Sequence, residues 1–355
     1  MSDKNPKYYD EAGALRPNYD RAVSYPNVTA DDFQDSYMIS VGKAEVEAEV
    51  DRAPRVIDQD SFSYKPTGEL IYLQGAEIGI PSYDVTFSTE DGEEVTLRNR
   101  VSLAAIGSNS SPDILQKKFN ALAVGDVPDD EKVAVMQAKL ENHVVAEAAF
   151  VSGTGAVPVT IEHREDSHAR ITIGFLTKGQ AEKLTGTEPN YEGVMLDTRA
   201  TFQNGTSIPS PVAYVSIWGA LTRDGENPIA NVDIPQRTDL EKMNTVQALD
   251  LVGGLTEGHA GGFAAPDRDL LDYVDGHMEN YAEGPEKEAK HAERLERTRK
   301  LQEGGHSLPA LAYGQRVFMS TIARDPIAAD FAPEIEYIRP EGGSNARVDL
   351  PEHHV

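Results

Sequence analysis

The sequence predicts an α+β protein in which a central sheet with packed helices lies between a polar N-terminal arm and a helical C-terminal region. Three observations predict it. Runs rich in β-branched and aromatic residues, separated by turn residues, recur over about 70–97 and 144–221. A strand, a loop and an amphipathic helix follow each other from Val101. After Asp233 the apolar residues take helical spacing. The predicted units are 1–95, 96–235 and 236–355.

The first unit begins with a polar segment, up to about residue 60, that is rich in Tyr, Asp and Pro. This composition predicts a partly ordered arm. The pattern becomes strand-like from Glu69 to Leu97, where the segment 90–93 predicts a hairpin turn.

The central unit opens with an apolar strand, Val101 to Ile106, that breaks at Gly107. Ser111 as N-cap and Pro112 in the first turn then predict a helix. We expect the strands within 101–221 to form one closed or nearly closed sheet, against which this helix packs. The apolar face of the helix comprises Ile114, Leu115, Phe119 and Leu122.

Further elements follow from spacing and turn residues. Residues 130–140 have a helical pattern, and Thr177 to Gln180 resembles a capping box before a short helix that ends at Leu184. The polar stretch His163–His168 predicts a hairpin between two strands rather than a metal site. Predicted strands are 144–151, 156–163, 169–176, 193–198 and 212–221.

The last unit predicts three helices. Leu240 to Leu251 and Asp269 to Tyr281 have apolar residues at helical spacing. Glu286 to Gln302 is dense in both signs of charge at spacings of three and four, which is typical of a solvated helix. We therefore expect 238–304 to be mostly helical, with 286–302 exposed.

Composition limits the function. The 59 acidic and 33 basic residues give a net charge of −26, which disfavours nucleic-acid and membrane-surface partners. Both high solubility and a salt-rich cytoplasm explain such acidity. The absence of cysteine excludes disulfides and thiolate chemistry. No apolar leader and no apolar run of about 18 residues is present, so we expect a cytoplasmic protein.

The loop after the first central strand carries the candidate chemistry. Gly107 permits a tight turn, and Ser108, Asn109 and Ser110 offer hydrogen-bond donors. The loop lies at a helix N-terminus, where free amides and the helix dipole favour negative charge. It can bind a carboxylate or phosphate, or it can be a helix cap without a ligand.

Two segments together resemble a known family. Gly107-Ser108-Asn109 is similar to the Tyr-Gly-Ser-Asn loop of the γ-glutamylcyclotransferase-like family, and 176–191 is similar to its Leu-Thr-x-x-Gln-x-x-x-Leu helix followed by Glu and Tyr. The last two correspond to Glu188 and Tyr191. The resemblance covers 101–194, with a weaker continuation to Leu221. Ile106 replaces the family's usual aromatic residue.

The resemblance implies a small mixed β-barrel with packed helices and an enzyme, an acyltransferase or lyase, that cyclises a γ-glutamyl or related acyl-amine small molecule. It implies Glu188 as the catalytic residue and no metal or cofactor. The implied substrate-binding residues are Gly107, Ser108, Asn109, Ser110 and Tyr191. The alternatives are that Tyr191 only packs, that Glu188 is a surface carboxylate, and that the protein is a non-catalytic binding or assembly module. Oligomeric state is not predicted.

Overall fold

The computed structural model of the protein describes residues 7–10, 14–26, 35–41, 54–76, 78–122, 131–257, 268–309, 311–312, 314–318 and 336–337. It is α+β, with a large, mostly antiparallel sheet. Its helices are α1 Pro17–Val23, α2 Pro112–Leu122, α3 Lys178–Gly186, α4 Thr245–Glu257, α5 Arg268–His277 and α6 Gly284–Glu303. Among the residues described, no helix combines the length and the apolar character needed to cross a bilayer.

The strands are shorter toward the C-terminus. They are β1 Ser36–Val41, β2 Arg55–Ile71, β3 Ile80–Thr89, β4 Glu94–Ala105, β5 Glu131–Glu147, β6 Val159–Leu176, β7 Tyr191–Leu196, β8 Arg199–Phe202, β9 Ser207–Pro209, β10 Val212–Ser216, β11 Ala220–Leu221, β12 Ala230–Asn231, β13 Gln236–Arg237, β14 Lys242–Met243, β15 Ser307–Leu308, β16 Leu311–Ala312, β17 Gly314–Phe318 and β18 Glu336–Tyr337.

One sheet contains β4 to β10, as expected for the strands within 101–221, whereas β11 pairs with β15 in a separate ladder. The strand β4 has three neighbours, because it pairs with β3, β6 and β10. Successive pairings lead from β4 to β3, β2, β1, β5 and β6, and β6 pairs with β4 again. This series of pairings is closed, and we call it the strand circuit.

Helix α2 packs against the sheet as predicted. Leu115 and Phe119 are buried in one apolar cluster with Val101 and Leu103 of β4, while Ile114 is half-buried. A second cluster, which we call the inner cluster, contains Ile106 together with side chains from β3, β5 and β6.

The predicted helix at 130–140 is wrong. Residue 130 lies outside the described residues, and the rest forms the first part of β5. Val133 and Val135 point into the cluster around α2, whereas Ala134 and Met136 belong to the inner cluster. Because both faces of the strand are buried, its apolar run is continuous and mimics helical spacing.

The predicted hairpin at His163–His168 is also wrong, because 159–176 is one strand. The two ends of its polar stretch pair with β5, where His143 faces His163 and Glu141 faces His168, and residues 164–167 bulge out of this ladder at the register shift. Glu165 and Asp166 are exposed. Solvent at this bulged part of the ladder therefore accounts for the polar residues.

The N-terminal segment is more regular than its composition predicts. It contains α1 and β1, and β2 already begins at Arg55. The strand β1 pairs with both β2 and β5, so it belongs to the strand circuit. The prediction of an irregular segment to about residue 60 is wrong for 36–41 and 55–60. The domain boundaries stay a prediction.

The C-terminal helices differ from their predictions in bounds and in burial. Helix α4 begins at Thr245, after the short strand that contains Met243. Helix α6 is not exposed throughout, because one face is buried. Its long polar side chains reach carboxylates on neighbouring elements, which charge density alone does not predict. The buried residues of α6 are Arg294, Leu295, Arg297, Thr298 and Leu301.

Candidate functional site

Strand directions place the two predicted site segments at one end of the sheet. The strand β10 runs parallel to β4, so its last residue, Ser216, lies toward the end where β4 gives way to the Gly107 loop. The strand β7 runs antiparallel to β10, and its first residue, Tyr191, faces Ser216. The turn that carries Glu188 therefore lies beside the loop.

The loop forms one turn of 3-10 helix over Ser108–Ser110. The amide of Ser110 donates to the carbonyl of Gly107 at 2.8 Å, and the amide of Ser111 donates to that of Ser108 at 3.3 Å. The amides of Ser108 and Asn109 precede these bonds, so the turn itself does not use them. If the loop binds an anionic group, as the sequence predicts, these two amides are the candidate donors.

Ser110 holds the loop to the sheet. Its hydroxyl is buried, donates to the carbonyl of Ala105 at 2.9 Å and accepts from the hydroxyl of Thr172 at 3.2 Å. Tyr37 donates to the carbonyl of Ser110 at 2.7 Å. These bonds direct the Ser110 side chain into the protein and fix the position of its neighbour Asn109.

Glu188 follows helix α3, whose start is fixed by the predicted capping box. The amide of Gln180 donates to the hydroxyl of Thr177 at 3.2 Å, and the amide of Thr177 donates to Gln180 Oε1 at 2.9 Å. The helix ends at Thr187, and the amide of Glu188 donates to the carbonyl of Thr185 at 3.0 Å. The backbone of Glu188 therefore lies in a turn that hydrogen bonds fix to the end of α3.

Asn109, Lys118 and Glu188 form a closed triangle of side chains. Asn109 Nδ2 donates to Glu188 Oε1 at 3.1 Å, and Lys118 Nζ lies 2.7 Å from both Asn109 Oδ1 and Glu188 Oε1. The side chains of Lys118 and Glu188 are only 19% and 14% exposed, so solvent screens their attraction weakly. Thr187 Oγ1 lies 3.2 Å from the same oxygen. No described residue hydrogen-bonds to Glu188 Oε2.

The Glu188 carboxylate acts electrostatically on three buried or partly buried tyrosines. Burial raises the pKa of the hydroxyls of Tyr25, Tyr191 and Tyr214, and the Glu188 carboxylate raises each of them further. The hydroxyl of Tyr191 donates to the carbonyl of Val159 at 3.0 Å, and its ring lies edge-on to Phe150. The hydroxyl of Tyr191 is therefore already hydrogen-bonded within the protein, and its ring is packed.

A second carboxyl lies behind these tyrosines. Glu147 ends β5 opposite Val159 and is fully buried. Asn231 Nδ2 donates to its Oε1 at 2.8 Å, while its Oε2 has no partner among the described residues. Burial raises the pKa of this carboxyl well above its usual range. Glu147 in turn raises the pKa of Tyr25 and Tyr191.

The sequence identified the loop and Glu188 but not Lys118, Tyr25 or Glu147. Lys118 borders the apolar face of α2, next to Phe119, which is the one available signal for a half-buried lysine. Tyr25 comes from the N-terminal segment, and its approach to the loop depends on tertiary structure. Trp218 is buried core, with Nε1 donating to Asn190 Oδ1 at 3.0 Å.

The polar stretch of β6 lines a separate open groove of about 660 Å³ with residues 237–239. Arg164 and Asp239 form an ion pair there at 3.1 Å. In the part of the chain that the structure describes, no three His, Asp or Glu side chains are grouped so that they could hold a metal ion.

No protein-family model, curated protein or solved structure matches this chain. The function therefore has to be argued from the geometry around Asn109 and Glu188.

Proposed function

We propose that this protein is a γ-glutamylcyclotransferase-like enzyme that acts on a γ-glutamyl or related acyl-amine small molecule, with Glu188 as general acid and base. The observation that carries the proposal is the hydrogen bond of 3.1 Å from Asn109 Nδ2 to Glu188 Oε1. It joins a loop with amide donors to a carboxylate 79 positions further along the chain. Such a reaction needs both parts, an anion-binding loop and a base.

The strand circuit gives further support. We interpret the closed series of pairings from β4 through β3, β2, β1, β5 and β6, all antiparallel, as the small β-barrel of that family, with the parallel pair β4–β10 beside it. In this interpretation β10 and β7 extend the sheet from β4 and carry the Glu188 turn to the mouth of the Gly107 loop.

The proposed reaction is intramolecular. The substrate's α-ammonium, with a reference pKa of about 7.7–8.0, first loses a proton to Glu188. The amine nitrogen then attacks the γ-carbonyl carbon, a new carbon–nitrogen bond closes the five-membered ring, and the bond to the leaving amine breaks. The ring nitrogen loses a second proton as it becomes an amide. Glu188, which has passed the first proton to solvent, takes this second proton and gives it to the leaving amine. The products are 5-oxoproline and a free amine.

The contacts of Glu188 suit this role. Lys118, Asn109 and Thr187 approach Oε1, which fixes the plane of the carboxylate. No described residue bonds to Oε2, so this oxygen can accept the proton. The amides of Ser108 and Asn109 would bind the substrate carboxylate or the carbonyl oxygen as it gains negative charge.

The same contacts favour a second candidate, a binding or assembly module without catalysis. The triangle of Asn109, Lys118 and Glu188 pairs every charge it contains without a ligand. A buried or half-buried ion pair of this kind can serve the fold alone. The two candidates differ in whether Glu188 is needed for turnover or only for stability.

The experiment is a screen of γ-glutamyl amines and γ-glutamyl amino acids for release of 5-oxoproline, followed by Glu188→Gln. The variant keeps size and hydrogen-bonding reach but cannot accept the proton. We expect kcat to fall by about 10²–10⁴-fold, because general base catalysis contributes that much. Glu182→Gln, on α3 and away from the triangle, is the matched control and should retain full activity.

Two results would contradict the proposal, the first for the role of Glu188 and the second for the enzyme itself. Full activity in Glu188→Gln on the identified substrate removes Glu188 from the mechanism. No turnover of any γ-glutamyl compound by the wild-type protein, together with a lowered melting temperature in Glu188→Gln, identifies the triangle as structural and favours the non-catalytic module.

A further inference from the structure

The N-terminal residues 7–10 and 14–26 are fastened to the C-terminal helices by side chains. Tyr19 Oη donates to Asp275 Oδ1 at 2.7 Å, and the Tyr8 hydroxyl bonds to the Asp272 carboxylate. The rings of Tyr8 and Tyr19 meet edge-on at 5.0 Å and are buried beside α4 and α5. A helix as short as α1 is not stable by itself, so these contacts hold it in place. We call residues 7–10 and 14–26 the strap.

The strap ends at the candidate site. A Cβ atom added to Gly107 would lie 2.6 Å from the Tyr25 hydroxyl oxygen, which is closer than any real contact of this kind. The backbone of the loop and the end of the Tyr25 side chain are therefore in direct contact, and the glycine allows it. The Tyr25 ring packs against the inner cluster, which includes Ile106.

The hydroxyl of Tyr25 lies among the groups proposed to act. The Cβ position of Gly107 lies 3.3 Å from Val159 Cγ2, and Tyr191 donates to the carbonyl of the same valine. Burial raises the pKa of the Tyr25 hydroxyl, and the negative charge of the Glu188 carboxylate raises it further. The hydroxyl stays protonated at neutral pH and can donate a hydrogen bond.

We propose that Tyr25, placed by the strap, is a substrate-binding residue of the candidate site, whose hydroxyl donates to an oxygen of the ligand bound at the Gly107–Ser110 loop. This inference rests on the proposed function. It assigns to the strap a part of the binding site that the loop and the Glu188 turn do not supply.

Hydrogen-bonding capacity sets the orientation of the ligand. Lys118 pairs with Glu188 through Oε1, and Oε2 can accept a hydrogen bond from the ammonium of an amino acid. The loop amides and the Tyr25 hydroxyl are donors, and they suit carboxylate or carbonyl oxygens. The ligand class that meets both needs is a zwitterionic γ-glutamyl compound, with its ammonium toward Glu188 and its oxygens toward Gly107 and Tyr25.

The first test is Tyr25→Phe in the full chain, with Tyr64→Phe as the matched control. Tyr64 is also partly buried against the inner cluster, but its hydroxyl donates to the carbonyl of Ser207 at 2.9 Å. We expect KM for the γ-glutamyl substrate to rise about 3–10-fold in Tyr25→Phe, since one neutral hydrogen bond is lost, with little change in kcat. Tyr64→Phe should leave KM unchanged. An unchanged KM in Tyr25→Phe overturns the inference.

The second test does not depend on activity. Gly107→Ala should lower the melting temperature, because its Cβ meets the Tyr25 hydroxyl. In the double variant with Tyr25→Phe that oxygen is gone, and the next ring atom lies 3.5 Å away. The melting temperature should then recover relative to Gly107→Ala alone. A double variant that is no more stable than Gly107→Ala removes the contact on which the inference stands.

The outcomes separate this inference from the proposed function. Loss of turnover in Glu188→Gln without an effect of Tyr25→Phe leaves the enzyme standing and overturns the role of Tyr25. If the wild-type protein turns over no γ-glutamyl compound, binding of 5-oxoproline and of L-glutamate is measured by calorimetry. Weaker binding of either probe to Tyr25→Phe than to Tyr64→Phe supports Tyr25 as a binding residue. Equal binding, or none to the wild type, overturns it.

Discussion

At the scale of single residues, Glu147 and Glu188 have the same side chain but differ in burial and in hydrogen-bond partners. Glu188 is half-buried beside a lysine, whereas Glu147 is fully buried with one oxygen that has no described partner. Burying a carboxylate without a counter-charge is costly, so the surroundings of Glu147 favour its protonated form. Its pKa is raised well above the usual range by burial.

A pH prediction follows for Glu147→Gln. The folded state holds the proton of Glu147 at pH values where the unfolded chain, with a pKa of about 4.3, has lost it. The wild type therefore loses up to about 1.4 kcal/mol of unfolding free energy per pH unit above about 4.3, until the folded-state pKa is passed. Gln does not titrate, so we expect the variant to gain stability relative to the wild type as pH rises from 4 to 7.

Urea denaturation at several pH values measures this difference. Glu141→Gln, on the same strand but exposed, is the control for a change in net charge. A stability difference between Glu147→Gln and the wild type that does not change with pH would show that Glu147 is ionised in the folded protein.

The residues of the site were predictable only where local sequence carries the signal. Asn109 and Glu188 lie in segments with recognisable turn and capping residues. Lys118 and Tyr25 join them through tertiary contacts across α2 and the strap. The position of Tyr25 depends on how Tyr8 and Tyr19 bind Asp272 and Asp275, for which no sequence pattern exists.

At the scale of elements, the start of helix α3 is the best-predicted feature. The capping box is formed by Thr177 and Gln180, which are close in sequence. The sequence pattern that predicts it therefore consists of the same residues that form it. The strand β5 is the opposite case. The strand β5 lies between its partners β1 and β6 and is buried on both faces. The apolar pattern of one sequence cannot distinguish such a buried strand from a buried helix.

Thr177→Ala tests the contribution of this cap. The variant loses the hydroxyl that accepts from the amide of Gln180 at 3.2 Å. We expect the free energy of unfolding to fall by about 1 kcal/mol, the usual cost of removing an N-cap side chain. Chemical denaturation gives the value. Thr177→Ser keeps the hydroxyl and should be close to the wild type, and equal losses in both variants would exclude the cap as the cause.

At the scale of the whole molecule, the C-terminal helices bury charged and titratable side chains, which the acidic composition of the chain does not predict. His277 is fully buried, and its Nδ1 lies 2.7 Å from the carbonyl of Tyr273. Burial, together with the nearby guanidinium groups of Arg297 and Arg294, lowers the pKa of His277 to about 3. Those arginines pair with Glu257 and Glu279.

Acid should therefore unfold the protein partly through His277. An unfolded histidine takes up a proton below pH about 6.5, whereas the folded one does so only near 3, so stability is lost as pH falls between these values. The loss is about 1.4 kcal/mol per pH unit for one such group. In His277→Asn, unfolding free energy should fall less between pH 7 and 4.5. Parallel pH curves for variant and wild type would contradict this.

The strand circuit has a consequence for synthesis of the chain. In order of synthesis, the last pairing of the circuit joins Val101 of β4 to Leu176 of β6. Tyr37 of β1 cannot pair with Val135 of β5 until the ribosome has made that residue. The hairpins β2–β3 and β3–β4 can form early, but they leave one edge of β4 and one of β1 open on the ribosome. Such open edges are sites of wrong pairing between chains. Translation speed and chaperone access before residue 176 should therefore govern the yield of native protein.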